Sequence, residues 1–348
     1  MTMSRTRLQH TVFTLFAGLL AAAGPVAKAQ DQPITPTALD DAAVGTARRS
    51  ALHPMPTNNP AAARAKESAH FPGPTTTPFQ NGKPRFPGDM SYQGGAFLDH
   101  AQSHAVYLLN PRIGCINANC WGNPEAFLRD LGQSDFIHVA DEYVKRHDNN
   151  RYTNGAHANV TVTTLPHKLT DSNVLAIVHA VASQTHLTGY NHIYHVFIPP
   201  GTDECADNTL TQCYSPDVPA SFAFCAYHSS VDFRDIGHVL YTVEPFQNVP
   251  GCNIAAGSPN GPVVDGTTNV LSHELFETIT DPDGDGWWNT ASNDLFGDEL
   301  ADECSFVIFL PAGGAFDPPA FNIGGKRYAV QAEYDNSSHA CVTKPGDN

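Results

Sequence analysis

Hydrophobic and polar positions alternate in recognisable periods only from about Gly95 onward. Ala105 to Leu109 is a short, fully apolar run of the kind a buried strand makes, and Asn123-Pro124-Glu125 caps and starts a helix carrying Phe127, Leu128 and Leu131. A second helix is expected over Ser134 to Tyr143, and Asn159 to Thr164 alternates as a strand. Asp171 reads as the cap of a helix whose Val174, Ile177, Val178 and Val181 share one face. Three strand-like runs follow, Ile193 to Ile198, Phe222 to His228 and Val239 to Val243, set apart by loops rich in Pro, Gly and Cys. Helical spacing returns in Asn269 to Asp281, where Val270, Leu271, Leu275, Phe276 and Ile279 form an apolar stripe. An acidic loop, the apolar run Phe306 to Leu310, a Gly/Pro-rich loop and a closing strand, Arg327 to Ala332, end the pattern. This order predicts one α+β (mixed α/β) domain with a central mixed sheet over residues 96–345.

The stretch before it behaves differently. Residues 1–29 read as a secretory signal: Arg5 and Arg7 precede the apolar run Val12 to Ala23, and Ala27-Lys28-Ala29 precedes Gln30. Residues 30–95 hold ten of the 27 prolines and no sustained period, which predicts a poorly ordered linker or pro-segment, with an inhibitory propeptide as the functional alternative. The apolar run of the signal is too short and too early to span a membrane as a permanent helix and no later stretch approaches 18 apolar residues, so a secreted protein, extracellular or periplasmic, is expected.

Charge and cysteine content narrow the picture further. The net charge is −16, and it becomes −19 once the three basic residues of the signal leave. Such an acidic surface argues against nucleic acid and anionic membrane as partners, because phosphate binding needs a basic footprint. Eight cysteines in an exported chain read as four disulfides. Cys115 with Cys120 and Cys205 with Cys213 are spaced as loop staples, and Cys225 with Cys252 and Cys304 with Cys341 as longer clamps, although other connectivities fit the same count.

Nucleophile and phosphate motifs are missing: there is no Gly-x-Ser-x-Gly, and Gly324-Gly325-Lys326 is followed by Arg327 rather than Ser or Thr. Metal chemistry is the enzymatic option left. His273 and Glu277 stand four residues apart, so their Cβ atoms are roughly 5–6 Å apart on one helix face, with Glu274 beside them as a candidate general base. The same spacing also fits an amphipathic helix with an acidic solvent face. A zinc site needs a third protein ligand. Asp298, Glu299, Asp302 and Glu303 cluster in GDELADEC, where Asp302 is favoured by its closeness to Cys304; His228 is a further candidate, against the simpler reading of a sheet histidine. One imidazole with two carboxylates neutralises Zn²⁺ and lowers the pKa of a bound water less than a histidine-rich set, so weak turnover or a harder metal is expected. Asp281, Asp283 and Asp285 are spaced as in a calcium loop, but Ser292 stands where its bidentate Glu belongs. Trp287 and Trp288 read as packing anchors or a flat substrate platform, and His100, His104, His192 and His195 as scattered histidines rather than a second metal site.

His273-Glu274-Leu275-x-Glu277, Asp281-Pro282, Trp287-Trp288, Glu299 to Cys304 and Asn322-x-Gly324-Gly325-Lys326-Arg327-Tyr328-Ala329-Val330-Gln331 with Cys341 resemble the Exordium-like, phosphate-induced protein family. Phe224-Cys225-Ala226-Tyr227-His228 resembles its Cys-Gly-x-His segment. The resemblance implies an exported protein of plant cell walls or bacteria, and it supports Asp302 over Asp298 as third ligand. The acidic turn DPDGDGWW departs from the family pattern, so a calcium role there would be local to this chain. The sequence therefore predicts a disulfide-bonded domain with a zincin-like metal-site helix: zinc on His273, Glu277 and Asp302, with Glu274 as base, acting as a peptidase-like hydrolase on a peptide or cell-wall substrate. The alternative is a non-catalytic extracellular protein with a structural metal.

Overall fold

The computed structural model describes residues 30–34, 47–57, 79–80, 83–84, 88–161, 167–206, 209–290, 299–308 and 318–345. Its centre is a nine-stranded mixed sheet. In chain order the strands are β1 (Gln30–Ile34), β2 (Arg48–Arg49), β3 (His53–Pro56), β4 (Ala101–Leu109), β5 (Tyr152–Asn154), β6 (Ala158–Thr161), β7 (His192–Phe197), β8 (Phe224–Phe233) and β9 (Gly237–Glu244). Their spatial order is β1-β6-β4-β7-β9-β8-β2, with β5 also on β4 and β3 also on β8. From β1 to β9 the neighbours run parallel, whereas β8 is antiparallel to β9 and to β2 and β3.

The apolar runs explain this arrangement. Every residue of β4 except Gln102 is buried, as a central strand covered on both faces requires. Along β7, Tyr194 and Val196 enter one core while Ile193 and Phe197 enter the other. The first core lies under α3 (Asp171–Thr185), whose Val174, Ile177, Val178 and Val181 face the sheet. The second lies under α4 (Pro262–Thr280), whose Leu271, Leu275, Phe276 and Ile279 meet Tyr107, Phe197 and Leu240. α1 (Pro124–Leu131), the 3₁₀ turn Phe136–Ala140 and the short α2 (Asp141–Val144) pack on the same side, with the Phe136 and Phe276 rings 4.9 Å apart. The mixed α+β expectation and the four cysteine pairs are what the structure contains. No helix among the described residues is long and apolar enough to cross a membrane.

Local expectations differ in five places. The helix expected over Ser134 to Tyr143 is a 3₁₀ turn followed by α2. Thr170, not Asp171, caps α3, because its hydroxyl and the Asn173 side chain form a reciprocal capping box while Asp171 pairs with Arg49. The strand expected over Asn159 to Thr164 is β6, and residues 162–166 lie outside the described ones. The end of the acidic loop after α4 and the start of the apolar run are instead α5 (Leu300–Ile308), with the rest of that run, residues 309–310, outside the described residues. Part of the presumed linker, β1 to β3, is paired into both edges of the sheet. Residues 1–29 lie outside the described residues, so the signal remains an expectation.

Candidate metal centre

α4 carries no solvent face. From Asp265 to Thr280 every residue is buried, and His273, Glu274 and Glu277 are 0% exposed. The helix lies between the sheet and a cap made of α5 and the segment Ala329 to Asp335, so its acidic side points inward. This removes the reading of an amphipathic helix with a solvated acidic face.

His273, Glu277 and Asp302 each bring a ligand atom into one group whose members lie within 4.8 Å of one another. His273 Nε2 is 3.1 Å from Glu277 Oε1 and 3.4 Å from Asp302 Oδ1. Glu277 Oε1 also accepts the Asp302 backbone N–H at 3.2 Å, which ties the start of α5 to α4. Cys304, joined to Cys341, holds the same turn of α5 against the antiparallel strands Glu333–Asp335 and Ala340–Val342. His273 Nδ1 donates to Gln331 Oε1 at 3.2 Å, which turns Nε2 toward the two carboxylates. Gln331 is itself fixed, donating through Nε2 to Ala301 O and through its backbone N–H to Asn269 Oδ1.

His228 is part of the same cluster. It is 0% exposed on β8, with Nδ1 3.3 Å from Glu274 Oε2 and 3.5 Å from Glu277 Oε2. Its Nε2 donates to the Asp281 carbonyl at 3.1 Å, which again leaves the other nitrogen facing carboxylates. His228, Glu274 and Glu277 form a second compact group, and His53, His228 and Glu299 a third. The simple sheet histidine does not describe His228.

The electrostatics of the cluster are unusual. Glu274, Glu277, Glu299, Asp302 and Glu333 are buried, and among the described residues their ion pairs run only to histidines. Burial lowers the His273 and His228 imidazoles, but the surrounding carboxylates outweigh it and raise both well above the ordinary histidine range. Burial pushes Glu277 up, yet the two imidazoles hold it down at about 2. Asp302, Glu299 and Glu333 are driven well above the carboxylate range by burial, with neighbouring carboxylates adding to it. Several of the relevant atoms, including His273 Nε2, Glu274 Oε1, Glu277 Oε2 and Asp302 Oδ1, have no aligned hydrogen-bond partner. A divalent cation would reverse this protonation pattern and satisfy those lone pairs together.

The remaining candidates are placed elsewhere. Asp298 lies outside the described residues, and Glu303 accepts from Asn289 Nδ2 at 2.8 Å. The calcium-like turn disperses its carboxylates: Asp281 Oδ1 accepts the Gly286 N–H, while Asp283 binds Ser230 and Tyr190. Trp287 packs against Tyr92 and Tyr143 at 5.3 and 5.4 Å, and with Trp288 it pairs with Ser91–Tyr92. His104 contacts His192 at 3.1 Å, and His195 contacts Thr242, both in the sheet. Sequence reasoning missed Gln331 and Glu333 as neighbours of the centre, and it missed His53 altogether. Gln331 was given no role in the sequence, and His53 carried no signal.

Compared with family models, curated proteins and solved structures, the chain matches none.

Proposed function

We propose that this chain is an exported metal-dependent hydrolase of peptidase-like type, a distant relation of the Exordium-like family, with zinc or a harder divalent cation on His273, Glu277 and Asp302. The observation that carries this reading is the convergence of those three ligand atoms within 4.8 Å of one another, buried and, among the described residues, without a lysine or arginine in their ion pairs. A bound cation supplies Lewis acidity toward a carbonyl oxygen and lowers the pKa of a water. Glu274 stands next to His273, and its Oε1 has no hydrogen-bond partner, so it is the group free to take that proton. His228 holds the other oxygen of Glu274 at 3.3 Å and positions the carboxylate. Gln331 fixes the ring of His273.

Complete burial of the centre favours a second reading, a structural cation in a non-catalytic extracellular protein. Metal analysis of the purified protein and Glu274→Gln separate the two. The hydrolase reading expects a stoichiometric cation, with hydrolysis lost and metal kept in Glu274→Gln. A native protein free of metal sinks both readings, and a metal-loaded protein whose biological effect survives Glu274→Gln supports the structural one.

A further inference from the structure

What lies over His228 comes from far upstream in the chain. β3 runs antiparallel to β8, with His53 opposite His228, Pro54 opposite Tyr227, Met55 opposite Ala226 and Pro56 opposite Phe224. The Ser50 N–H donates to Ser230 O at 3.0 Å and the Thr57 N–H to Ala223 O at 3.1 Å, so the segment is tied at both ends. The His53 ring stacks on His228 with centroids 5.1 Å apart. Its Nδ1 reaches 2.9 Å from Glu299 Oε2, inside the cluster.

An extended peptide added to a sheet edge is held by backbone pairing, while alternate side chains drop into neighbouring sites. We propose, resting on the hydrolase reading above, that the substrate is an extended polypeptide bound as an antiparallel strand along Phe224–His228, and that His53–Pro56 of the chain itself occupies this place.

The edge reads backbone more than side chains, so it would take a foreign chain in the same way. Pro54 and Pro56 lack N–H groups, which a strand tolerates only at a sheet edge, and they leave this occupant with fewer backbone donors than another sequence could offer. Met55, 0% exposed in the core under α3, anchors the segment, as does the Arg49–Asp171 pair. Tethering gives such an occupant an effective concentration of ~mM, enough to exclude a substrate present at micromolar levels. β3 also covers the flank of the centre that His228 and Glu299 form. With β3 in place, Glu299 and His228 are covered by His53; with it gone, the edge of β8 beside them is bare.

The test uses the full-length chain with a recognition sequence for a specific protease inserted between Thr57 and Gly88, alone and combined with Met55→Ala to loosen the anchor. Hydrolysis of a fluorescence-quenched peptide library, cation content and hydrogen exchange of the Phe224–His228 segment are measured before and after cutting. The expected result is a rise in hydrolysis of about tenfold or more, together with faster exchange in that segment and suppression by a synthetic peptide spanning residues 47–57 added back. Equal hydrolysis before and after cutting, abolished by Glu274→Gln, overturns the occlusion and leaves the hydrolase standing. A cut, cation-loaded chain with an exposed segment and no hydrolysis of any peptide overturns the substrate assignment. Absence of cation from both forms overturns the hydrolase reading and this inference with it.

Discussion

Refolding the protein without divalent cation is expected to lower its melting temperature by several degrees. The centre buries Glu274, Glu277, Glu299 and Asp302 around two imidazoles, and without a cation their orphaned lone pairs are retained only by protonating acids and charging histidines. A ligand at a free concentration of about 100 times its Kd stabilises the native state by about 2.7 kcal/mol. For a domain of roughly 150–250 residues each kcal/mol moves the melting temperature by about 2–4 °C, which gives a shift of about 5–11 °C. Differential scanning calorimetry of protein refolded in chelator, then with Zn²⁺, Mn²⁺ or Ca²⁺ in turn, measures the shift and ranks the metals. His273→Ala and Asp302→Asn should lose most of it, because each removes one of the three converging groups, whereas Glu274→Gln should keep it. Superimposable traces with and without every cation, in a protein that is otherwise native, would refute the argument that this cluster is a metal centre.

Further outcomes follow from other parts of the molecule. Replacing Cys304 and Cys341 together by serine removes a link between positions 37 apart, which the chain-entropy argument puts at about 4 kcal/mol, read from urea unfolding; cation affinity should fall as well, and unchanged affinity would show that the clamp does not position Asp302. Arg151→Met should destabilise by about 1–3 kcal/mol in the same assay, since it removes the cation facing Asp141 Oδ1 and leaves that buried carboxylate only its contacts to His138 and His147 through Oδ2; no loss would contradict the pairing. A pH series on His238→Gln tests the Asp232–His238–Asp283 chain, in which the two contacts are 2.8 and 3.3 Å. Burial lowers the His238 imidazole but the two carboxylates outweigh it and raise it, so its contribution is present below about pH 6.5 and lost as pH climbs through its folded value. Burial raises Asp283, yet His238, Ser230 and Tyr190 hold it at about 2, so its contribution is present above about pH 3.9 and lost as pH falls toward about 2. The melting-temperature deficit of His238→Gln should therefore be largest between about pH 4 and 6.5 and shrink in alkali; a deficit that grows with pH would contradict the assignment.

Legibility in the sequence followed the range of the interaction. The His273–Glu277 spacing is set within a single turn of helix, so it can be read without knowing the fold. The apolar runs of β4, β7 and β9 were visible because a strand buried on both faces needs little more than continuous hydrophobicity. Asp302 was reached through its neighbour Cys304 and through resemblance, since nothing in GDELADEC distinguishes one acid from another; the run looked like a loop because its charges hid the helical turn that Leu300, Ala301 and Cys304 bury. The inward direction of the acidic side of α4 was not legible, because it depends on α5 and on Gln331 lying over it. β2 and β3 were least legible of all. Edge strands of two and four residues with proline at 54 and 56 show no alternation, and their pairing is set by β8 rather than by their own pattern.

That pairing also imposes an order of events. The Ser50 and Ser229 hydroxyls lie 3.0 Å apart in the folded protein and 179 residues apart along the chain. Loop closure over such a span comes late and slowly, so the first of the described strands to be made are among the last to dock. Until they do, the edge of β8 beside His228 stays bare, and on the metal-centre reading a cation would enter while its ligands are still hydrated. Once Met55 is seated, exchange would require that edge to open again. Metal occupancy in the finished molecule would then record what was dissolved around the chain while it folded, rather than what surrounds it later.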